Sequence, residues 1–213
     1  MLPAQTIGKN IKDIIRLIPY DQIRHMSNVG ILVDVMANKI MQNVPRTAAS
    51  YPYRHFGHAA FYHDIGKAYI SQELLSKQGK LTAEETQAVQ QHTLLAQELF
   101  YQIRERKILG FPEYLISLSH DAAVYHHEWW NGQGYPFGLS HDQIPFISRV
   151  TAICDAYDAM TSTRTYRRAY SHEFACEELE KKSGIQFDPE LVKAFLANEA
   201  EFLSLAARRV TAV

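Results

Sequence analysis

Apolar residues recur along most of the chain at spacings of three and four, and no long alternating run argues for a sheet. Ile23, Val29, Leu32, Val33, Met36 and Ile40 share one helical stripe, and Pro45 lies just beyond it. A second helix is expected from about Tyr53 to Lys67. The turn-like stretch Ser76 to Lys80 leads into Thr82-Ala-Glu-Glu85, a capping-box signature for a helix carrying His92. Another helix should hold Leu115 to about Glu128, and Asn131-Gly-Gln-Gly-Tyr-Pro136 must be a loop. A helix around Ile147–Thr161 follows. Ser171 caps the next one, and Asp188-Pro189 reads as cap and first turn of another. No internal repeat, low-complexity tract or linker interrupts the pattern, so it predicts a single all-α domain with an irregular loop near 129–145.

Composition sharpens this only in places. The chain has 213 residues, 46% hydrophobic and 21% charged, the balance of a soluble globular domain able to bury a core without disulfides. Its two cysteines, Cys154 and Cys176, have no metal-ligand or redox spacing, which fits a reducing compartment. A net charge of −1 gives no electrostatic footprint for duplex nucleic acid. No basic leader followed by an apolar run and no membrane-length apolar stretch is visible, so a cytoplasmic location is expected. The ten histidines change the picture more: beside so little cysteine, any metal site would use nitrogen and oxygen ligands.

His-Asp dipeptides occur at 63–64, 120–121 and 141–142, so the dipeptide alone says little. His63-Asp64-Ile-Gly-Lys67 ends an apolar run, Ala59-Ala60-Phe61, that would bury it. On a helix Lys67 shares the side of His63 and Asp64. Imidazole, carboxylate and ammonium buried together are costly unless they hold a metal and an anion. His141-Asp142 sits among polar residues and reads as a solvated turn. His126-His127-Glu128 would set two rings about 100° apart on one helix, able to serve two ions or an ion and a phosphate. His92 shares a face with Val89, Ala96 and Leu99. Asp155 and Asp158 lie in the apolar stretch 150–160; Asp155 fits a buried ligand, and Asp158 fits a ligand or a helix-end hydrogen-bond partner equally well. Asp21 and His25, four apart, can grip one ion, or Asp21 can simply favour a first helical turn. Two ions roughly 3.5–4 Å apart would acidify a shared water and clamp phosphate oxygens. Lys67, Arg164 and Arg167 are candidate cations for that phosphate, since guanidinium can grip it through paired hydrogen bonds, although Arg164 and Arg167 also read as a solvated helix end.

These residues resemble the HD-GYP family of metal phosphodiesterases. The likeness rests on His63-Asp64-Ile-Gly-Lys67, His92, His126-His127-Glu128, Gly132-Gln-Gly134-Tyr135-Pro136, Gly138-Leu139, Ile144-Pro145, Asp155-Ala-Tyr-Asp158, Arg164-Thr-Tyr-Arg167 and Gln186-Phe-Asp-Pro189, in order over roughly 20–197. It implies a helical HD-superfamily fold, with 1–20 as a lead-in, 21–197 as the domain and 198–213 as a C-terminal helical tail. It implies hydrolysis of cyclic di-GMP to linear pGpG or GMP; the alternatives are cyclic GMP-AMP as substrate, or a weak cyclic dinucleotide-binding module that docks a partner. The resemblance makes His25, His63, Asp64, His92, His126, His127 and Asp155 metal ligands, with Asp64 bridging two or three ions of iron or manganese. Asp21 stands where three-metal members carry glutamate, so the ion count stays open. Lys67, Tyr135, Arg164 and Arg167 would contact substrate. The aromatics Trp129, Trp130 and Tyr135 read as exposed and could dock a diguanylate cyclase or other signalling partner, or could pack against the domain; a homodimer is also compatible. His55, His58, His120 and His172 find no family role, although His120, seven residues before His127, would share its face. Control is expected from expression, a partner chain or substrate supply.

Overall fold

The computed structural model describes residues 2–3, 6–42, 53–163 and 168–210, and Arg164 and Arg167 lie outside them. Helices follow one another along the chain: α1 Ile11–Ile15, α2 Tyr20–Gln42, α3 Phe56–Ala60, α4 Gln72–Leu75, α5 Ala83–Gln90 and α6 His92–Arg104. They continue as α7 Ile116–Tyr125, α8 Phe146–Thr161, α9 His172–Lys181, α10 Pro189–Leu196 and α11 Glu199–Val210. Among the described residues there are isolated bridges but no named strands, so the domain is all-α.

The apolar stripe of α2 explains the layout. Val29, Leu32, Val33 and Met36 are buried, and with α3, α7, α8, α9 and α10 they build one core cluster, which Phe202 of α11 joins. Ile11, Ile14 and Ile18 pack with Ile65, Leu99, Phe100 and Ile103 in a second cluster. Fully burying side chains of this size contributes about 1.5–3 kcal/mol each. Caps mark the helix starts: Thr82 and Glu85 form a reciprocal capping box, Ser171 accepts from the Phe174 amide, and Asp188 accepts from the amides of Glu190 and Leu191.

Three expected helices are shorter or broken. The helix expected over 53–67 is a 3-10 turn at Tyr53–His55, then α3, then a tight turn and a 3-10 segment Ile65–Tyr69. Bonds to the third residue back replace helical ones there, His63 N to Ala60 O at 3.0 Å and Lys67 N to Asp64 O at 2.9 Å. Gly66 is forced by a close approach, since a Cβ there would overlap the carbonyl oxygen of His92. The helix expected to run from the Thr82 box through His92 breaks at Gln91: α5 buries nothing, whereas α6 buries His92, Thr93, Ala96, Leu99, Phe100 and Ile103. The third helix ends at Tyr125, leaving His126 as its C-cap and His127 and Glu128 beyond it.

Candidate metal centre

The centre is assembled from five places in the fold. His25 comes from α2, His63 and Asp64 from the turn after α3, His92 from the first position of α6, His126 and His127 from the end of α7, and Asp155 from α8. His25, His63, Asp64, His92 and His126 are buried, and Asp155 is half-buried. The rings lie 4.0 to 5.5 Å apart, centroid to centroid. Their donor atoms fall into three sets of metal-binding size: His92, His126 and His127; His63, His126 and Asp155; and His25, His63 and Asp64. His126 and His127 therefore do not diverge by 100°. Lying at and past the helix end, they turn together toward His92.

Backbone carbonyls orient two of the rings. His63 Nδ1 lies 2.9 Å from Ala60 O and His92 Nδ1 lies 2.8 Å from Val89 O, each carbonyl three residues back. An N–H donated to each carbonyl leaves Nε2 as a bare lone pair facing the centre. Burial lowers the pKa of His92 to about 4 and of His127 to about 3, and lowers that of His126 well below the usual value, so these rings stay neutral near neutral pH.

The carboxylates are held just as firmly. Burial would raise the Asp64 pKa, but the Lys67 ammonium foremost, together with the neighbouring His63 and His92 rings, outweighs it and holds the carboxyl well below its ordinary range. Lys67 Nζ donates to Asp64 Oδ2 at 2.6 Å and to Gln22 Oε1 at 3.2 Å. Asp64 Oδ1 faces the other way, 3.4 Å from His92 Nε2 and 4.0 Å from His126 Nε2. His25 sits between two carboxylates, Nδ1 at 2.6 Å from Asp158 and Nε2 at 2.8 Å from Asp155. Burial works against its charged form, yet those two hydrogen bonds win and hold its pKa up at about 9. Asp158, fully buried, also accepts from Ser162 Oγ at 3.0 Å, so it orients His25 and closes the end of α8. It belongs to none of the three donor sets.

His63 Nε2, Asp64 Oδ1, His92 Nε2 and both ring nitrogens of His126 are buried without a hydrogen-bond partner. Each such atom costs about 1–3 kcal/mol if left unpaired. Three rings and a carboxylate oxygen can thus each present a lone pair at one place, His126 through one of its two nitrogens, and this nitrogen and oxygen set fits divalent metal ions. Asp21 is exposed and stands at the rim, lining a cleft of about 70 Å³ with Gln22, Arg24, His25, Asn28, Asp158, Ser162 and Thr163. No donor set includes it.

The loop after α7 closes the other side. Glu128 is buried, and its two carboxylate oxygens accept from the amides of Phe137 at 2.7 Å and Leu139 at 2.9 Å. The Tyr135 amide bonds His127 O at 3.1 Å, and the peptide Tyr135-Pro136 is cis. Gly134 has no room for a Cβ, which would overlap the amide of Trp129. The Tyr135 ring stacks on His127 at 4.7 Å and 24°. Burial, then the charges of Asp64 and Asp155, push its hydroxyl pKa far up, so it stays a neutral donor. Trp129, Trp130 and Tyr135, expected on the surface, are half-buried, with Arg149 over the Trp130 ring at 5.5 Å; Phe137 is the exposed aromatic of this loop. Glu128 and Gln22 carried no role in the sequence reading. The i, i+1 step from His127 was a signal for Glu128, but its two amide partners lie nine and eleven residues on.

The other histidines separate cleanly. His120 does not share a face with His127, which lies past the helix end; its Nδ1 bonds the neighbouring Asp121 at 2.9 Å. His141 starts an exposed 3-10 turn, where Asp142 pairs with Arg149 at 2.9 Å. His58 is exposed and His55 packs on Tyr114 at 4.8 Å.

A sequence model described as HD domain matches residues 33–191. A protein of Vibrio cholerae named cyclic di-GMP phosphodiesterase is 41% identical over 145 residues, 68% of this chain and 29% of that one. Another, named 3'3'-cGAMP-specific phosphodiesterase 2, is 36% identical over 145 residues, again 68% of this chain and 26% of its own length. The chain thus spans less than a third of either relative. Among solved structures, an HD-GYP-type protein of Bdellovibrio bacteriovorus superposes with a TM-score of 0.54 at 18% identity, covering 79% of this chain and 50% of its own, a likeness of fold. No helix of the described residues is long and apolar enough to cross a membrane.

Proposed function

Because the chain belongs to the HD domain family, and to its HD-GYP branch, we propose that the centre hydrolyses a phosphodiester bond of cyclic di-GMP, giving linear pGpG or GMP. The observation that supports this best is the convergence of buried, unpaired atoms of His63, Asp64, His92 and His126 beside the Tyr135 loop. His25, His63, Asp64, His92, His126, His127 and Asp155 would hold two or three divalent ions, iron or manganese, with Asp21 at the rim for a third. Bound there, the ions supply Lewis acidity and lower the pKa of a nucleophilic water.

The protein's own groups prepare the rest. Asp64 presents Oδ1 to the His92 and His126 side while Lys67 holds Oδ2, a two-sided placement suited to a bridging carboxylate. Two of the three Lys67 N–H donors are taken by Asp64 and Gln22, and the third is available to a phosphate oxygen. Tyr135 offers a neutral hydroxyl and a ring edge to the substrate beside His127. Arg164 and Arg167 would clamp the second phosphate.

Cyclic GMP-AMP is the second reading, favoured by the relative of that specificity. The test is parallel assay of cyclic di-GMP, cyclic GMP-AMP and cyclic di-AMP with protein loaded anaerobically with iron or manganese, and metal analysis of the same sample. Linearisation of cyclic di-GMP fastest is expected. A fully loaded protein that turns over none of the three would overturn the activity, and one that prefers cyclic GMP-AMP would overturn the substrate.

A further inference from the structure

On the far side of α8 a second group of donor atoms converges, distinct in chemistry from the first. His172 and Cys176 lie four apart on α9 and so share a face, and Glu199 opens α11 beside them. His172 Nε2 is 3.5 Å from Cys176 Sγ and 3.9 Å from Glu199 Oε2. The His172 Nδ1 lies 2.8 Å from the hydroxyl of Tyr157, which fixes the ring from α8. In the tautomer that donates from Nδ1, Nε2 turns a lone pair toward Cys176 and Glu199. A tetrahedral zinc with bonds of roughly 2.3 Å to sulfur and 2.0–2.1 Å to nitrogen separates those two atoms by about 3.6 Å, close to what is observed. The same geometry asks about 3.4 Å between nitrogen and carboxylate oxygen, a half-ångström adjustment that the exposed Glu199 can make by a small rotation. These atoms face a surface cleft of about 570 Å³ whose charged lining is Glu173, Glu177, Glu180 and Glu199. Such a rim concentrates cations.

We propose that His172, Cys176 and Glu199 form a separate binding site for a zinc-type divalent ion, with a fourth position open to the cleft. An ion there ties α11 to α9 and, through Tyr157, to α8, the helix that carries Asp155. Burial, with Glu199 adding to it, pushes the Cys176 thiol up to about 11, so binding releases its proton.

Cobalt(II) added to the metal-free full chain is the probe, because the first centre contains no thiolate. A near-ultraviolet sulfur-to-cobalt charge-transfer band is expected in the native chain and in Asp64→Ala, and its loss is expected in Cys176→Ser. Circular dichroism and the thermal midpoint of metal-free Cys176→Ser check that the variant folds. Should it not fold, His172→Gln and Glu199→Gln carry the test, each expected to weaken cobalt binding at this band by about tenfold or more. No band at saturating cobalt, or a band unchanged by these substitutions, overturns the site.

Discussion

The dipeptide His-Asp meets opposite outcomes in two places of this molecule, within α7 and in the turn after α3. In α7, His120 and Asp121 satisfy each other at 2.9 Å, and the ring leans on Phe100 and Tyr125. In the turn after α3, His63 gives one nitrogen to the Ala60 carbonyl, and its inward nitrogen has no hydrogen-bonded partner. Lys67, Asp155, His92 and His126 close around the second pair. The difference teaches that several unsatisfied atoms converging on one point mark the chemistry, and the residue types alone do not; lone unsatisfied atoms such as Ser119 Oγ and Tyr69 OH also occur elsewhere. A polar pair that closes on itself is a finished structure, whereas one aimed at other donors across the fold is an unfinished site that a cation completes.

The contrast breaks most sharply at the carboxylates. Asp64→Ala should lower the proposed phosphodiesterase turnover by about 1000-fold or more and abolish metal binding at the centre, measured by steady-state assay and metal analysis. Retained metal with retained turnover would sink the bridging role. Glu128→Gln, which weakens the anchor of the Phe137 and Leu139 amides, should cost about 10–100-fold in activity or metal affinity. Unaltered kinetics in that variant would show that the loop holds without its anchor.

The pH dependence of metal-free protein sharpens the same contrast. His92 and His127 have folded pKa values of about 4 and about 3, below the unfolded value near 6.5. As pH falls below about 6.5 the unfolded chain takes up protons that the folded chain refuses, so stability declines by about 1.4 kcal/mol per pH unit for each ring that stays neutral. His25 runs the other way: raised to about 9, its contribution is complete below about 6.5 and fades as pH climbs through 9. Urea midpoints should therefore be highest near neutrality and lower at pH 5 and at pH 10; a flat profile contradicts the burial of these rings. The smallest effect belongs to the finished pair. Asp121→Asn should leave turnover and metal content unchanged and shift stability by no more than about 1 kcal/mol, read from the same denaturation curves.

Much of this was legible along the chain. The stripe of Val29, Leu32, Val33 and Met36, the Thr82 box and the Asp188-Pro189 start are local signals, and local hydrogen bonding made the caps. The helix breaks at Phe61 and Gln91 were not legible. Gly66 yields to the His92 carbonyl from another segment, and α5 and α6 differ in burial, which is a property of what packs on them. The inward turn of Trp130 and Tyr135 was hidden for a similar reason: an aromatic in a glycine-rich loop carries no periodicity to say which side it faces.

What the sequence alone determined about this protein was its all-helical class, the starts of its helices and the set of donors that any site would draw on, because propensity, capping and residue chemistry act within a few positions. The tertiary structure decided which donors meet. It bent the chain at His63, ended α7 at His126 and stopped Asp21 at the rim. It also set Glu199 against the His172 and Cys176 face of α9, because convergence in space depends on helix crossings and backbone contacts between residues far apart in the chain.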